Sequence, residues 1–131
     1  MAISVTVAAS GSMATALATA IGATSTIKIY SGSKPATPET TASGTLLCTV
    51  SISGSFTASS NVITAADPAA ASPAASGTAG YFRLATSGGT AILDGTVTAT
   101  GGGGDMTLGS TTITTGVNVD LGIPTVTVPV A

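Results

Sequence analysis

Residues 80–98 read GYFRLATSGGTAILDGTVT, and the fold turns on this stretch. Phe82 and Leu84 alternate with Tyr81 and Arg83, the period of two expected of a strand with one buried face. Ser87-Gly88-Gly89 offers the positive-φ positions of a tight turn, and residues 91–97, AILDGTV, return as the partner strand. Nothing in the hairpin has the make-up of a reaction centre.

Upstream, residues 1–9 alternate Ile3, Val5 and Val7 with Ser4 and Thr6, which reads as a strand or an extended arm. Ser10 or Ser12 then caps a short helix over residues 13–21, with Met13, Leu17 and Ile21 on one face and Gly22 just past its end. Residues 25–30 form a strand with Ile27 and Ile29 facing one way, Lys28 and Tyr30 the other. The proline-bearing segment 31–43, SGSKPATPETTAS, is an exposed loop. Residues 45–52 place Leu46, Cys48, Val50 and Ile52 on one side of a second strand, and 55–58 and 61–64 read as two short ones. Residues 65–78, AADPAAASPAASGT, hold Pro68 and Pro73, which bar a regular helix despite the alanines. This segment reads as a long surface loop or contact arm.

Downstream, Gly101 to Gly104 make a flexible hairpin connection before Met106 and Leu108. Residues 111–114 and 116–121 form a further hairpin with Val117, Val119 and Leu121 on one face. Residues 125–128, between Pro124 and Pro129, suit an edge strand, where missing backbone donors matter little. The expectation is a mainly β chain: an antiparallel β-sandwich or barrel-like domain with one short N-terminal helix. Residues 1–9 would be the arm and 10–131 a single β-sandwich domain. The Thr-x-Thr triplets at 96–98, 112–114 and 125–127 have no fixed period, so the chain is not a solenoid.

Composition bounds the function. The 131 residues are 44% hydrophobic but 3% aromatic and 6% charged, against about 25% charged in ordinary soluble domains. Disordered chains show the reverse balance. A neutral, hydroxylated, strand-rich surface favours association, so a multi-copy assembled protein fits best. Lys28, Lys34 and Arg83 are the only cations in a chain of net charge −2, too few and too scattered to grip nucleic acid phosphates. No apolar run approaches the ~20 residues of a membrane span. No basic segment precedes an apolar block, so a signal peptide is not expected.

Catalysis is not expected either. There is no histidine, which removes the commonest general base and metal ligand. Glu39, Asp67, Asp94, Asp105 and Asp120 stand singly beside turn signals. Gly101 to Gly104 lack the Gly-Lys-Ser/Thr ending of a phosphate loop. Cys48, the lone cysteine, alternates with Leu46 and Val50 as a small core residue would. Arg83 could meet a partner's carboxylate, face solvent, or pair with Asp94 across the hairpin. No cofactor or metal is implied.

Four pieces in order carry a resemblance: a short helix leading into IKIYSGSKPATPETTASGTLL (27–47), FTASSNVIT (56–64), GTAGYFRLATSGGTAILDGTV (77–97), and MTLGSTTITTG before a Val/Ile-Thr-Val terminal strand. Together they resemble a family of small structural proteins of tailed bacteriophages, over roughly residues 13–128. The resemblance implies a virion protein made in the host cytoplasm. Its expected role is a capsid decoration (cement) protein on the outer shell, bound to the major capsid protein as a homo-oligomer, with a trimer favoured. Alternatives are a tail or head–tail component, or a host-surface glycan-binding module using Tyr30 and Tyr81. Intermolecular contact is expected at Ile3, Val5 and Val7 of the arm, at Pro68 and Pro73 of the loop, and at Arg83.

Overall fold

The computed structural model describes residues 6–123 and 125–127. The chain is mainly β, 42% strand and 12% helical, with one helix and a curled, half-barrel-like sheet. In order the elements are α1 (Val7–Ile21), β1 (Thr24–Ser31), β2 (Leu46–Ser53), β3 (Thr57–Ser59), β4 (Val62–Thr64), β5 (Gly77–Thr86), β6 (Ala91–Ala99), β7 (Met106–Leu108), β8 (Thr112–Ile113) and β9 (Thr125–Thr127). The large sheet runs β2-β1-β5-β6-β7, with β8 attached to β5, and a small sheet runs β3-β4-β9.

The central hairpin is the axis of the large sheet. Tyr81 faces Thr96, Arg83 faces Asp94 and Leu84 faces Leu93 on β6, while β1 pairs along the other side of β5. Ile27, Ile29, Val50, Ile52 and Leu84 are at most 2% exposed, so the alternation of branched residues builds the core directly. β5 departs from the expected single buried face. Tyr81, Phe82, Arg83, Leu84 and Ala85 are all buried, because neighbours flank β5 on both sides and a loop folds over its outer face. The Ser43 N–H donates to Tyr81 Oη at 3.0 Å, and the Tyr81 hydroxyl donates to the Ser43 carbonyl at 2.6 Å. Gly80, the unmatched residue where Tyr30 pairs Tyr81 but Ser31 pairs Ala79, lets this loop approach. A Cβ there would run into the Gly32 carbonyl oxygen.

The helix starts six residues earlier than expected. Thr6, in extended backbone, is its N-cap, and its hydroxyl accepts the Ala9 N–H at 3.1 Å. Ser10 is instead buried inside the helix, and Ser12 bonds back to the Ala8 carbonyl. Val7 therefore belongs to the first turn, not to an arm. Ile3 and Val5 lie outside the described residues. The buried face is Ser10, Ala14, Ala18 and Ile21, whereas Met13 is 44% exposed. Small side chains let α1 sit close to the small sheet, where a Cβ on Gly11 would stand 3.0 Å from the Ser60 carbonyl oxygen.

Three further expectations are refined or corrected. Of the two readings of residues 65–78, a surface loop matches the structure, but one pinned within the chain and not left free as an arm. Ala71 and Val119 exchange backbone hydrogen bonds of 2.9 and 2.8 Å, and the Ala74 and Ala75 N–H groups both donate to the Leu47 carbonyl. Leu47 is the unmatched residue of a bulge, since Ile29 pairs Cys48 and Tyr30 pairs Leu46, so its carbonyl is free to take both. That bulge also places Leu47, rather than Leu46, fully inside. The Gly run, for its part, does not join a hairpin, because β7 runs parallel to β6. Positive φ angles at Gly101 and Gly103 (87° and 79°) turn the chain round twice. The Thr98 hydroxyl accepts the Gly104 N–H at 3.0 Å and fixes the loop. Nor do residues 111–121 form a hairpin: β8 pairs with β5, Val119 bridges to Ala71, and Val117 is 62% exposed.

Candidate functional site

Three of the eight charged residues fall in a row across the central strands. Lys28 on β1 lies opposite Arg83 on β5, which lies opposite Asp94 on β6. Arg83 Nε and Nη2 donate to Asp94 Oδ1 and Oδ2 at 2.7 and 2.8 Å, a bidentate pair whose side chains are 10% and 2% exposed. The hydrogen bond to Asp94 holds the guanidinium still more firmly in its charged form. Arg83 was expected at an interface; its fork is instead spent inside the chain, the local pairing that the hairpin register allows. The Tyr30 and Tyr81 rings stack beside it, centroids 5.1 Å apart. Burial, and then Tyr81, push the Tyr30 phenol above its ordinary range.

The remaining acids do not converge. Asp105 Oδ2 accepts the Thr96 N–H and hydroxyl at 2.9 and 3.0 Å, which holds its carboxyl below the usual range. Asp120 closes a turn onto the Gly122 N–H at 3.0 Å. Among the described residues no group of three or more His, Cys, Asp and Glu is placed to hold a metal ion. Cys48 is buried, and burial pushes its thiol up, away from the reactive thiolate. Among the described residues no helix is long and apolar enough to cross a membrane.

Pro68 and Pro73 are buried within the chain rather than offered to a partner. Of the expected contact residues that lie among the described ones, only Val7, 57% exposed on the first turn of α1, presents an apolar side chain outward. The feature missed from sequence is the distribution of charge. α1, β2, β3, β4, β7, β8 and β9 contain no charged residue at all. On α1 the exposed side is Val7, Ala8, Ala9, Ser12, Met13, Thr15, Ala16, Thr19 and Ala20. The hydroxyls of Ser12, Thr15 and Thr19 each donate to a carbonyl one turn back, so their hydrogen-bonding is satisfied within the helix. The spacing of the eight charged residues in the sequence carried this signal. It becomes a surface statement only once the strand order is known.

No protein-family model, curated protein sequence or solved structure matches the chain.

Proposed function

We propose that the chain is a virion structural protein, a capsid decoration protein that lies on the outer shell and ties neighbouring subunits together. The observation that carries this reading is the neutral, partly apolar exterior of α1, with Val7 and Met13 exposed and no charged residue on the helix. A solvent-facing helix of a freely diffusing protein ordinarily carries charge on its outer face. A helix without it neither repels a copy of itself nor pays a charge-desolvation penalty on being covered. The sequence resemblance set out above supplies the setting, a tailed-phage particle, and the partner, its major capsid protein. In this role the protein resists separation of shell subunits by burying apolar surface, as a trimer or other small oligomer.

A tail or neck location uses the same surface and differs in copy number. The glycan-binding alternative is disfavoured by geometry. Sugar sites stack on exposed rings, but Tyr81 is 0% exposed and its hydroxyl is engaged by Ser43. The test is quantitative mass spectrometry of purified particles, counting this chain against the major shell protein. A ratio near one, or a simple fraction such as a third, supports decoration. A handful of copies moves the protein to the neck or tail, and absence from particles overturns the virion reading.

A further inference from the structure

A groove of about 250 Å³ opens between the central sheet and β9. Its floor is Ile27, Phe56, Phe82 and Leu84, each no more than 9% exposed. At its mouth stand Thr107, Thr125, Ile123 and Asp105, all exposed. Protein interiors are close-packed and hold few voids larger than a water molecule. An apolar void of about 150 Å³ already stays dry and accepts a benzene-sized guest. This groove is larger and open on one side.

Charge selects the occupant. The Thr96 N–H and hydroxyl both hold Asp105 Oδ2, which fixes the carboxylate in position and leaves Oδ1 without a hydrogen bond among the described residues. Lys34 is the cation whose field reaches Asp105, yet the two make no ion pair. The site is thus an apolar floor with one anchored, unneutralised anion at its rim. It complements a group that is apolar at its tip and cationic where it emerges.

We propose that the groove docks a protein partner through an apolar side chain inserted against Phe82 and Leu84, with an adjoining lysine or arginine on Asp105. The inference rests on the assembly role only for the partner's setting; the groove and its chemistry belong to the free chain.

The test is amide NMR on the intact protein titrated with two probes, acetyl-Gly-Phe-Lys-Gly-amide and acetyl-Gly-Phe-Glu-Gly-amide. The lysine peptide is expected to shift the Phe82, Thr107 and Val126 amides and to bind about tenfold more tightly than the glutamate peptide. Asp105→Asn should remove that preference. Thr125→Trp, a change at an exposed position, should close the mouth and abolish both sets of shifts in a chain whose remaining spectrum is unchanged. Equal binding of the two peptides, shifts elsewhere on the surface, or no binding by a folded chain overturns the proposal. So does binding of hexylammonium with neither peptide, since the groove would then take a small amine. Each outcome is read on the isolated protein and stands whether or not the chain is found in particles.

Discussion

The central strands and the helix bury themselves by opposite means. β1, β5 and β6 interlock large branched and aromatic side chains and enclose an ion pair, Arg83 with Asp94. α1 is held by Ala14, Ala18, Ile21 and a buried serine. Burial stabilises in proportion to apolar area, roughly 25 cal/mol per Å², so the strands carry most of the stability and the helix little. The same contrast runs through the charges. Three of the eight, Lys28, Arg83 and Asp94, lie on β1, β5 and β6, the other five lie in loops, and none lies on the helix, which leaves the weakly anchored helix with an exterior suited to being covered. Under the proposed assembly role, the rigid strands and the coverable helix face fall to different parts of one small chain.

The contrast is broken most severely at the ion pair. Asp94→Ala strands the buried guanidinium and is expected to cost about 3–5 kcal/mol in urea unfolding, while the double change Arg83→Met with Asp94→Leu recovers most of it. Overpacking the helix should act locally. Ala14→Leu, at a position that is 0% exposed, is expected to cost about 2 kcal/mol, read as faster hydrogen exchange across α1 with β5 amides unchanged. An equal effect on β5 would mean that the helix and sheet unfold as one unit. Removing the N-cap with Thr6→Ala should cost about 1 kcal/mol and fray only the first turn.

The sheet also holds one defect that sharpens the comparison. Ser25 is 2% exposed and its hydroxyl has no hydrogen-bond partner among the described residues. An unsatisfied buried hydroxyl is costly, so Ser25→Ala should stabilise by about 1 kcal/mol and raise Tm by about 3 °C. The smallest effect concerns Asp105. Its carboxyl is lowered by the Thr96 N–H and hydroxyl. A depressed folded-state value means that its stabilising contribution is present above the ordinary carboxylate range and is lost as pH falls through the depressed one. Following the Thr96 amide in an acid titration should give a midpoint below that of a free aspartate, and Asp105→Asn should flatten the curve.

Where burial alternates cleanly, the sequence was enough. Ile27 and Ile29 of β1 and Val50 and Ile52 of β2 follow from strand period, whereas hairpin register allowed the Arg83–Asp94 pair only as one of three readings of Arg83. Other features depend on interactions that pattern does not encode. Ile3, Val5 and Val7 alternate as a strand would, yet Thr6 has the hydroxyl that starts a helix, and a cap competes with periodicity over only a few residues. The 65–78 segment looks loose because its partner is one bulged carbonyl, on Leu47, far away in sequence. A glycine run allows a turn without specifying whether the next strand returns antiparallel or, as β7 does, parallel. Of the candidate contact residues, Pro68, Pro73 and Arg83 were drawn inward by tertiary packing. The neutral helix exterior was visible only as an uneven spacing of charges until the elements were placed.

Hydrogen exchange on the free chain and on the same chain in purified particles tests the division of labour most directly. On assembly the α1 amides are expected to slow by about tenfold or more, with the already protected amides of β5 and β6 unchanged. Slowing confined to the strands bearing Lys28, Arg83 and Asp94, with α1 exchanging as it does in the free chain, would contradict it.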